Sequence, residues 1–352
     1  MNLKKIAVLD GDGIGPDVVA QAMKVLDVVA DRYGLVFQYE HALVGAIAID
    51  ETGNPLPDET LEVCRRSDAV LFGSIGHPRF DNDPSAKVRP EQGLLKLRKE
   101  LGLYANLRPV ASYDELLHLS PLTKERIQGV DMLIVRELTG GIYFGERGIN
   151  EAGNEAFDTC SYNSIEIERI CTIGFREAAA RRGKLTLVDK ANVLESSRLW
   201  RKVFREMATK HPEVTVDYMF VDNAAMQLIL NPAQFDVIVT SNMFGDILSD
   251  ASSVLAGSLG LLPSSSIGAA VGLFEPIHGS YPQAAGKDIA NPIATILSAA
   301  MMLDHLEERA AAAAIRKAVN ETLAAGVGTP DLHPKESIGT IALGDLIASK
   351  IT

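Results

Sequence analysis

Five times along its 352 residues the chain passes from a short β-rich stretch, through polar residues, into apolar residues at helical spacing. "KKIAVLD" leads through "GDGIGPD" into "VVAQAMKVLDVVADRYG", which stops at Gly34. "DAVLFGSIG", "KLTLVDKANVL", "EVTVDYMFVDNAAMQLIL" and "FDVIVTSNMFGDILSD" repeat the pattern. A helix between two strands is long enough to carry the chain back across the sheet, so successive strands pair in parallel. The alternation therefore predicts an α/β fold with a largely parallel sheet and helices on both faces. Ligands in such folds gather beyond the carboxyl ends of the strands. Asp189, Lys190, Asp222, Asn223 and Asn242 fall at such exits. The length exceeds one typical domain, so two are expected. The alanine-rich "ERAAAAAIRKAVNETLAAG" keeps a helical period and reads as an ordinary helix.

Composition suits such a fold, with 47% hydrophobic and 23% charged residues. The 34 Lys and Arg against 46 Asp and Glu leave a net charge of −12, which argues against a nucleic-acid partner. Cys64, Cys160 and Cys171 form no CxxC pair and read as free thiols in a reducing compartment. The start "MNLKKIAVLDGDG" has too few apolar residues for a signal-peptide core, and no apolar run reaches the length of a membrane span. The mature chain is expected to begin near Met1, in the cytoplasm and away from membranes.

"SNMFGDILSD" sets Asp246 and Asp250 four residues apart with no Lys or Arg nearby in sequence. If a helix begins near Phe244, both acids share a face, about 5–6 Å apart at Cβ, where carboxylates repel. A hard divalent cation of the Mg²⁺ type would offset that repulsion, with Asp222, read as ending the strand "YMFVD", as a third ligand. Alternatively one acid favours the helix dipole and the other faces solvent. Arg98, Arg108 and Arg136 would suit a dicarboxylate, because guanidinium groups fork onto carboxylates, though an arginine at a strand end, as Arg136 is, equally reads as a solvated cap. Tyr143 is open between acid and packing residue, and Lys190 in "LVDKANVL" between proton-transfer group and surface lysine. "GDGIGPD" is G-x-G-x-G, not G-x-G-x-x-G, and no acid follows at the end of an obvious second strand. It is either a tight turn feeding a helix or a dinucleotide loop outside the Rossmann pattern.

In order along the chain, "GDGIGP", "GLLKLRKELGLYANLRP", "RELTGGIYFGERG", "DKANVL", "NMFGDILSD", "EPIHGS" and "GKDIANP" resemble the β-decarboxylating dehydrogenases, nearest their isopropylmalate branch. The resemblance runs from about Ile6 to about Leu332. It implies a two-domain isopropylmalate-dehydrogenase-like fold, distinct from Rossmann. Residues 1–103 with 257–352 would form the cofactor domain. Residues 104–256 would form the substrate, metal and dimerisation domain, with an arm near 138–160 bracing a homodimer whose active sites are shared. The implied reaction is oxidation and decarboxylation of a malate-type acid, 3-isopropylmalate foremost, with D-malate, tartrate or homoisocitrate as alternatives. A non-catalytic dicarboxylate binder would share the arginines and the metal site, but not a use for Lys190 and Tyr143.

The resemblance also assigns roles. Arg98, Arg108 and Arg136 match a substrate carboxylate clamp, and Asp222, Asp246 and Asp250 match Mg²⁺ or Mn²⁺ ligands, Asp222 touching substrate as well. Tyr143 and Lys190 match an acid/base pair. Related isocitrate enzymes carry small polar residues where Glu91, Leu94 and Leu95 precede Arg98 here, so two leucines, with Val193, favour an apolar side group. Ile14, Glu91, Glu275, His278, Gly279, Ser280, Gln283 and Asn291 match NAD contacts. Tyr281 stands where alanine is usual and Gln283 where aspartate is usual, which removes one ground for choosing NAD. The lysine and tyrosine of NADP-using relatives are absent at Gln283 and Ala284, so NAD is still expected. Asp10 and His77 are further departures, where proline and glycine are common.

Overall fold

The structure is a computed structural model and describes residues 3–81 and 87–352. Its strands are β1 (Leu3–Gly11), β2 (Val36–His41), β3 (Ala69–Ser74), β4 (Ala105–Ala111), β5 (Asp131–Glu137), β6 (Arg147–Ile149), β7 (Ala156–Asp158), β8 (Lys184–Asp189), β9 (Thr215–Phe220), β10 (Val237–Thr240), β11 (Pro263–Ile267), β12 (Gly272–Pro276) and the short parallel pair β13 (Val327–Gly328) and β14 (Glu336–Ser337). The chain divides into two compact units, Met1–Leu103 with Gly257–Thr352, and Tyr104–Ala256.

In the first unit the strand order is β2-β1-β3-β12-β11, parallel except for β11 against β12. The helix Gly15–Tyr33 buries Val18, Ala22, Val25, Leu26 and Val29, a 3.6-residue stripe. It ends where Gly34 takes the left-handed conformation at φ 68°, and the Gly34 N–H donates back to Ala30 O. Leu9, Val70, Phe72, Leu97, Leu103 and Leu273 form a core beneath the sheet. The helix Pro90–Glu100 adds Leu97 to that core, so its opposite face carries Glu91 and Leu95 outward, while Arg98 is half-buried at the side.

In the second unit the order is β4-β5-β10-β8-β9, parallel except for β4 against β5. β10 is buried along its whole length, as a strand covered on both faces must be. The helix Ser164–Ala180 starts with a capping box between Asn163 and Glu166. β6 and β7 pair as a separate antiparallel hairpin whose Ile149 and Phe157 are exposed.

Two element boundaries differ from the sequence reading. The helix carrying Asp246 and Asp250 begins at Asn242, not near Phe244, and spans Asn242–Ser253. Its first N–H is satisfied from outside, because the Asn242 backbone N–H donates to Tyr162 Oη at 2.9 Å. Asp222 does not end a strand: β9 stops at Phe220 and Asp222 lies in the first turn of the helix Val221–Leu230, where the dipole favours an acid.

Candidate active site

Antiparallel pairing of β4 and β5 sets Asn106 opposite Arg136 and Arg108 opposite Ile134. Residues two apart on a strand share a face, so Arg108 and Arg136 project from the same face. The helix Asn242–Ser253 meets them there. Arg136 is buried and its Nη1 donates to Asp246 Oδ1, while Arg108 Nη1 donates to Asp250 Oδ1 at 2.6 Å and to Ser249 Oγ at 2.8 Å. The cations missing from the local sequence around the two acids are thus supplied by strands more than a hundred residues earlier. Gly245 makes this possible. A Cβ there would lie 2.6 Å from Arg136 Cγ, so any larger residue displaces the arginine stem.

Tyr143 joins the same cluster, its hydroxyl donating to Asp246 Oδ2 at 3.0 Å while the Arg136 guanidinium lies 5.9 Å from its ring centre. Burial, and then the bond to Asp246, holds the phenol above its ordinary pKa, so it is a proton donor at neutral pH. Asn242 completes the arrangement. Its Oδ1 accepts from Arg136 Nε at 3.2 Å and Nη2 at 2.8 Å. Sequence reading singled out Asn242 only as a strand-exit residue and did not single out Tyr162, Ser249, Asn106 or Gly245. A glycine inside the apolar helical run "NMFGDIL" was the one available signal for close packing.

Elsewhere in this unit Lys190 Nζ donates to Asp222 Oδ1 at 2.6 Å, which keeps the Asp222 carboxyl below its ordinary range. Lys190 leaves the end of β8 beside Asp189, which is buried and gripped by Arg201 through two bonds of 2.8 and 2.7 Å. Val193, in the turn that follows, is exposed. Among the described residues no group of three or more His, Cys, Asp and Glu side chains is disposed to hold a metal ion. Within one chain, then, Asp222, Asp246 and Asp250 do not form such a group.

The first unit carries the other residues singled out. Arg98 Nη2 donates to the buried Glu275 Oε1 at 2.6 Å. Leu94 packs partly into the core, whereas Leu95 is 57% exposed. Asp12 accepts from the N–H groups of Ala46, Ile47 and Gly76 at 2.9, 3.1 and 2.8 Å, and this pins the glycine loop. Ile14 N–H donates to Ser280 O at 2.8 Å, and a Cβ on Gly13 would lie 2.0 Å from that same oxygen. The loop of residues 11–15 and the loop of residues 278–284 are therefore held together through backbone. His278 Nδ1 lies 3.0 Å from Gly279 O, a pure acceptor, so Nδ1 carries the hydrogen. Nε2 is then a bare acceptor, buried without a partner among the described residues, and burial pushes the imidazole below its ordinary pKa. Asn291 Nδ2 donates to Asp331 Oδ2 at 3.1 Å. Tyr281 holds φ 37°, a left-handed conformation unusual for an aromatic, and Gln283 is exposed on the turn Pro282–Ala284. The departures at Asp10 and His77 each have a partner: Asp10 Oδ2 lies 2.8 Å from His41 Nδ1, and His77 Nδ1 accepts from Arg79 N–H at 3.3 Å.

A model of the isocitrate/isopropylmalate dehydrogenase family matches residues 5–347. The chain is 55% identical over 349 residues to the 3-isopropylmalate dehydrogenase of Bacteroides fragilis, covering 99% of this chain and 98% of that protein. It is 57% identical over 352 residues to that of Moorella thermoacetica, covering 99% of each. Among solved structures it is similar to isocitrate dehydrogenase from Methylococcus capsulatus, with a TM-score of 0.87 at 36% identity over 99% of each chain. A β-decarboxylating dehydrogenase from Thermococcus kodakarensis gives a TM-score of 0.83 at 38% identity, covering 99% of this chain and 96% of that one.

Proposed function

The chain belongs to the isocitrate/isopropylmalate dehydrogenase family and is a dehydrogenase, and from that premise we propose that it oxidises and decarboxylates 3-isopropylmalate to 2-oxoisocaproate, a step of leucine biosynthesis. The observation that carries the reading is the cluster on one sheet face: Arg108 and Arg136 opposite Asp250 and Asp246, with the Tyr143 hydroxyl 3.0 Å from Asp246.

Arg108 and Arg136 exchange Asp250 and Asp246 for substrate carboxylates, aided by Arg98. The exchange conserves charge pairing and releases two hard oxygen ligands. That donor set fits Mg²⁺ or Mn²⁺, and with the partner's Asp222 it would hold a Lewis acid that polarises the substrate's C2 oxygen. The buried, partnerless Nε2 of His278 fits an amino-group donor such as adenine, and the open space above Gly279 fits a phosphate. Together with Ile14, Glu91, Glu275, Ser280, Gln283 and Asn291, these residues would hold NAD, whose nicotinamide would supply a hydride acceptor. The partner's Lys190, entering beside the partner's Asp222, removes the C2 hydroxyl proton, and Tyr143, held protonated, returns a proton to C3 after carbon dioxide leaves. Leu95, with Leu94 and Val193, receives the apolar side group. The exposed apolar side chains Ile149 and Phe157 on the hairpin, and Met226, Ile229 and Ile247 on two helices, support pairing with a second copy.

Initial rates with 3-isopropylmalate, isocitrate, D-malate, tartrate and homoisocitrate, with Mg²⁺ and either NAD or NADP, test the reading. The expected result is a clear preference for 3-isopropylmalate and NAD. A preference for isocitrate or tartrate overturns the substrate, and no reduced cofactor with any acid points to a dicarboxylate binder.

A further inference from the structure

Asn242 is 1% exposed and makes four hydrogen bonds to three separate segments. Its Oδ1 accepts twice from Arg136 on β5, its Nδ2 donates to Gly140 O at 3.2 Å, and its backbone N–H donates to Tyr162 Oη. Gly140 begins the turn that carries Tyr143, and its own N–H donates to the fully buried Glu137 Oε2 at 2.8 Å. Tyr162 is wedged against that turn, since a Cβ on Gly141 would lie 2.4 Å from its hydroxyl oxygen. Asn242 itself heads the helix that carries Asp246 and Asp250.

From this geometry we infer that Asn242 is a positioning residue, aiming Arg136 and fixing the Tyr143 turn relative to the Asp246 helix, and that the position requires a neutral amide. Only Asn offers an acceptor for the guanidinium and a donor for the carbonyl from one short planar head. An aspartate of the same size would set oxygen against the Gly140 carbonyl and bring a second anion to Arg136 beside Asp246. That second anion competes with an incoming carboxylate for the arginine's charge. The amide fixes the direction of the guanidinium and leaves that charge available to the ligand.

The inference rests on Arg136 binding a substrate carboxylate, and the test separates the two. Wild type, Asn242→Asp and Asn242→Ala are compared as full-length enzyme for KM and kcat with 3-isopropylmalate, for calorimetric affinity, and for thermal midpoint. Weakened ground-state and transition-state binding alike appears in KM, so Asn242→Asp is expected to raise KM roughly 10–100-fold and Asn242→Ala roughly 3–10-fold, with kcat changing less. A packing role predicts the reverse order, with the isosteric Asp near wild type and Ala worse. That reverse order overturns the inference. Should Asn242→Asp fail to fold, Asn242→Ala decides: unchanged KM overturns it, and a rise with kcat retained supports it. Wild-type binding without turnover sinks the proposed reaction and leaves the order of affinities to judge Asn242. No binding by wild type overturns both.

Discussion

Lys190 stands 2.6 Å from Asp222, close enough for proton exchange and exposed enough to reach a ligand. Its replacement by Ala is expected to lower kcat by roughly 10²–10⁴-fold, the size of a lost general base, with metal affinity little changed. Steady-state kinetics with a metal titration decide it, and near-wild-type turnover returns Lys190 to an ordinary surface lysine. His278 makes a different kind of residue-scale statement. Burial lowers its pKa from the ordinary 6.5, so the folded chain resists a proton that the unfolded chain accepts. The group therefore contributes stability above about 6.5 that is lost as pH falls through its depressed folded value. Thermal midpoints measured from about pH 7 to about pH 5 should fall more steeply in wild type than in His278→Gln. Equal slopes would mean the ring is not held neutral by the fold.

At the scale of elements, the helix Asn242–Ser253 and the β4–β5 pair form one device, and Gly245 is where they touch. Alanine in a helix interior is worth about 1 kcal/mol over glycine, but forcing a Cβ against a buried stem costs about 1–3 kcal/mol. Gly245→Ala is expected to lose stability in urea unfolding and to raise KM, because the displaced side chain is Arg136. A more stable variant with unchanged KM would show that the arginine moves aside freely. This device also marks how far the sequence could be read. The strand-to-helix alternation was legible, because apolar period changes from two to 3.6 within a few residues, and each run quoted above is a strand in the structure. The pairing of Arg136 with Asp246 was not legible from spacing, since it depends on the β4–β5 register and on which face the helix covers. Nothing in the local sequence of Tyr162 announces a hydroxyl that accepts from Asn242. The start of the helix slipped by two residues for the same reason, because its first N–H is satisfied from outside.

At the scale of the whole molecule, a shared-site dimer makes a countable prediction. If Lys190 and Asp222 serve the partner's site while the arginines, Tyr143, Asp246 and Asp250 serve their own, Lys190→Ala and Asp250→Asn should complement. In a mixed dimer one site receives both intact residues and the other both lesions. Random pairing after joint refolding makes about half the dimers mixed, so activity should return to about a quarter of wild type. No recovery, with mixed dimers confirmed by mass spectrometry, would mean that each chain builds its site alone. The path of the chain has a consequence for its birth on the ribosome. The unit Tyr104–Ala256 is continuous, whereas the sheet of the other unit joins β3 to β12, nearly two hundred residues later. Synthesis proceeds from the N-terminus, so the middle unit can fold while the first hundred residues still wait for their pairing strand. During that interval the Ala69–Ser74 strand, apolar over most of its length, has an unpaired side, and it is the segment that a nascent-chain chaperone would have most reason to cover.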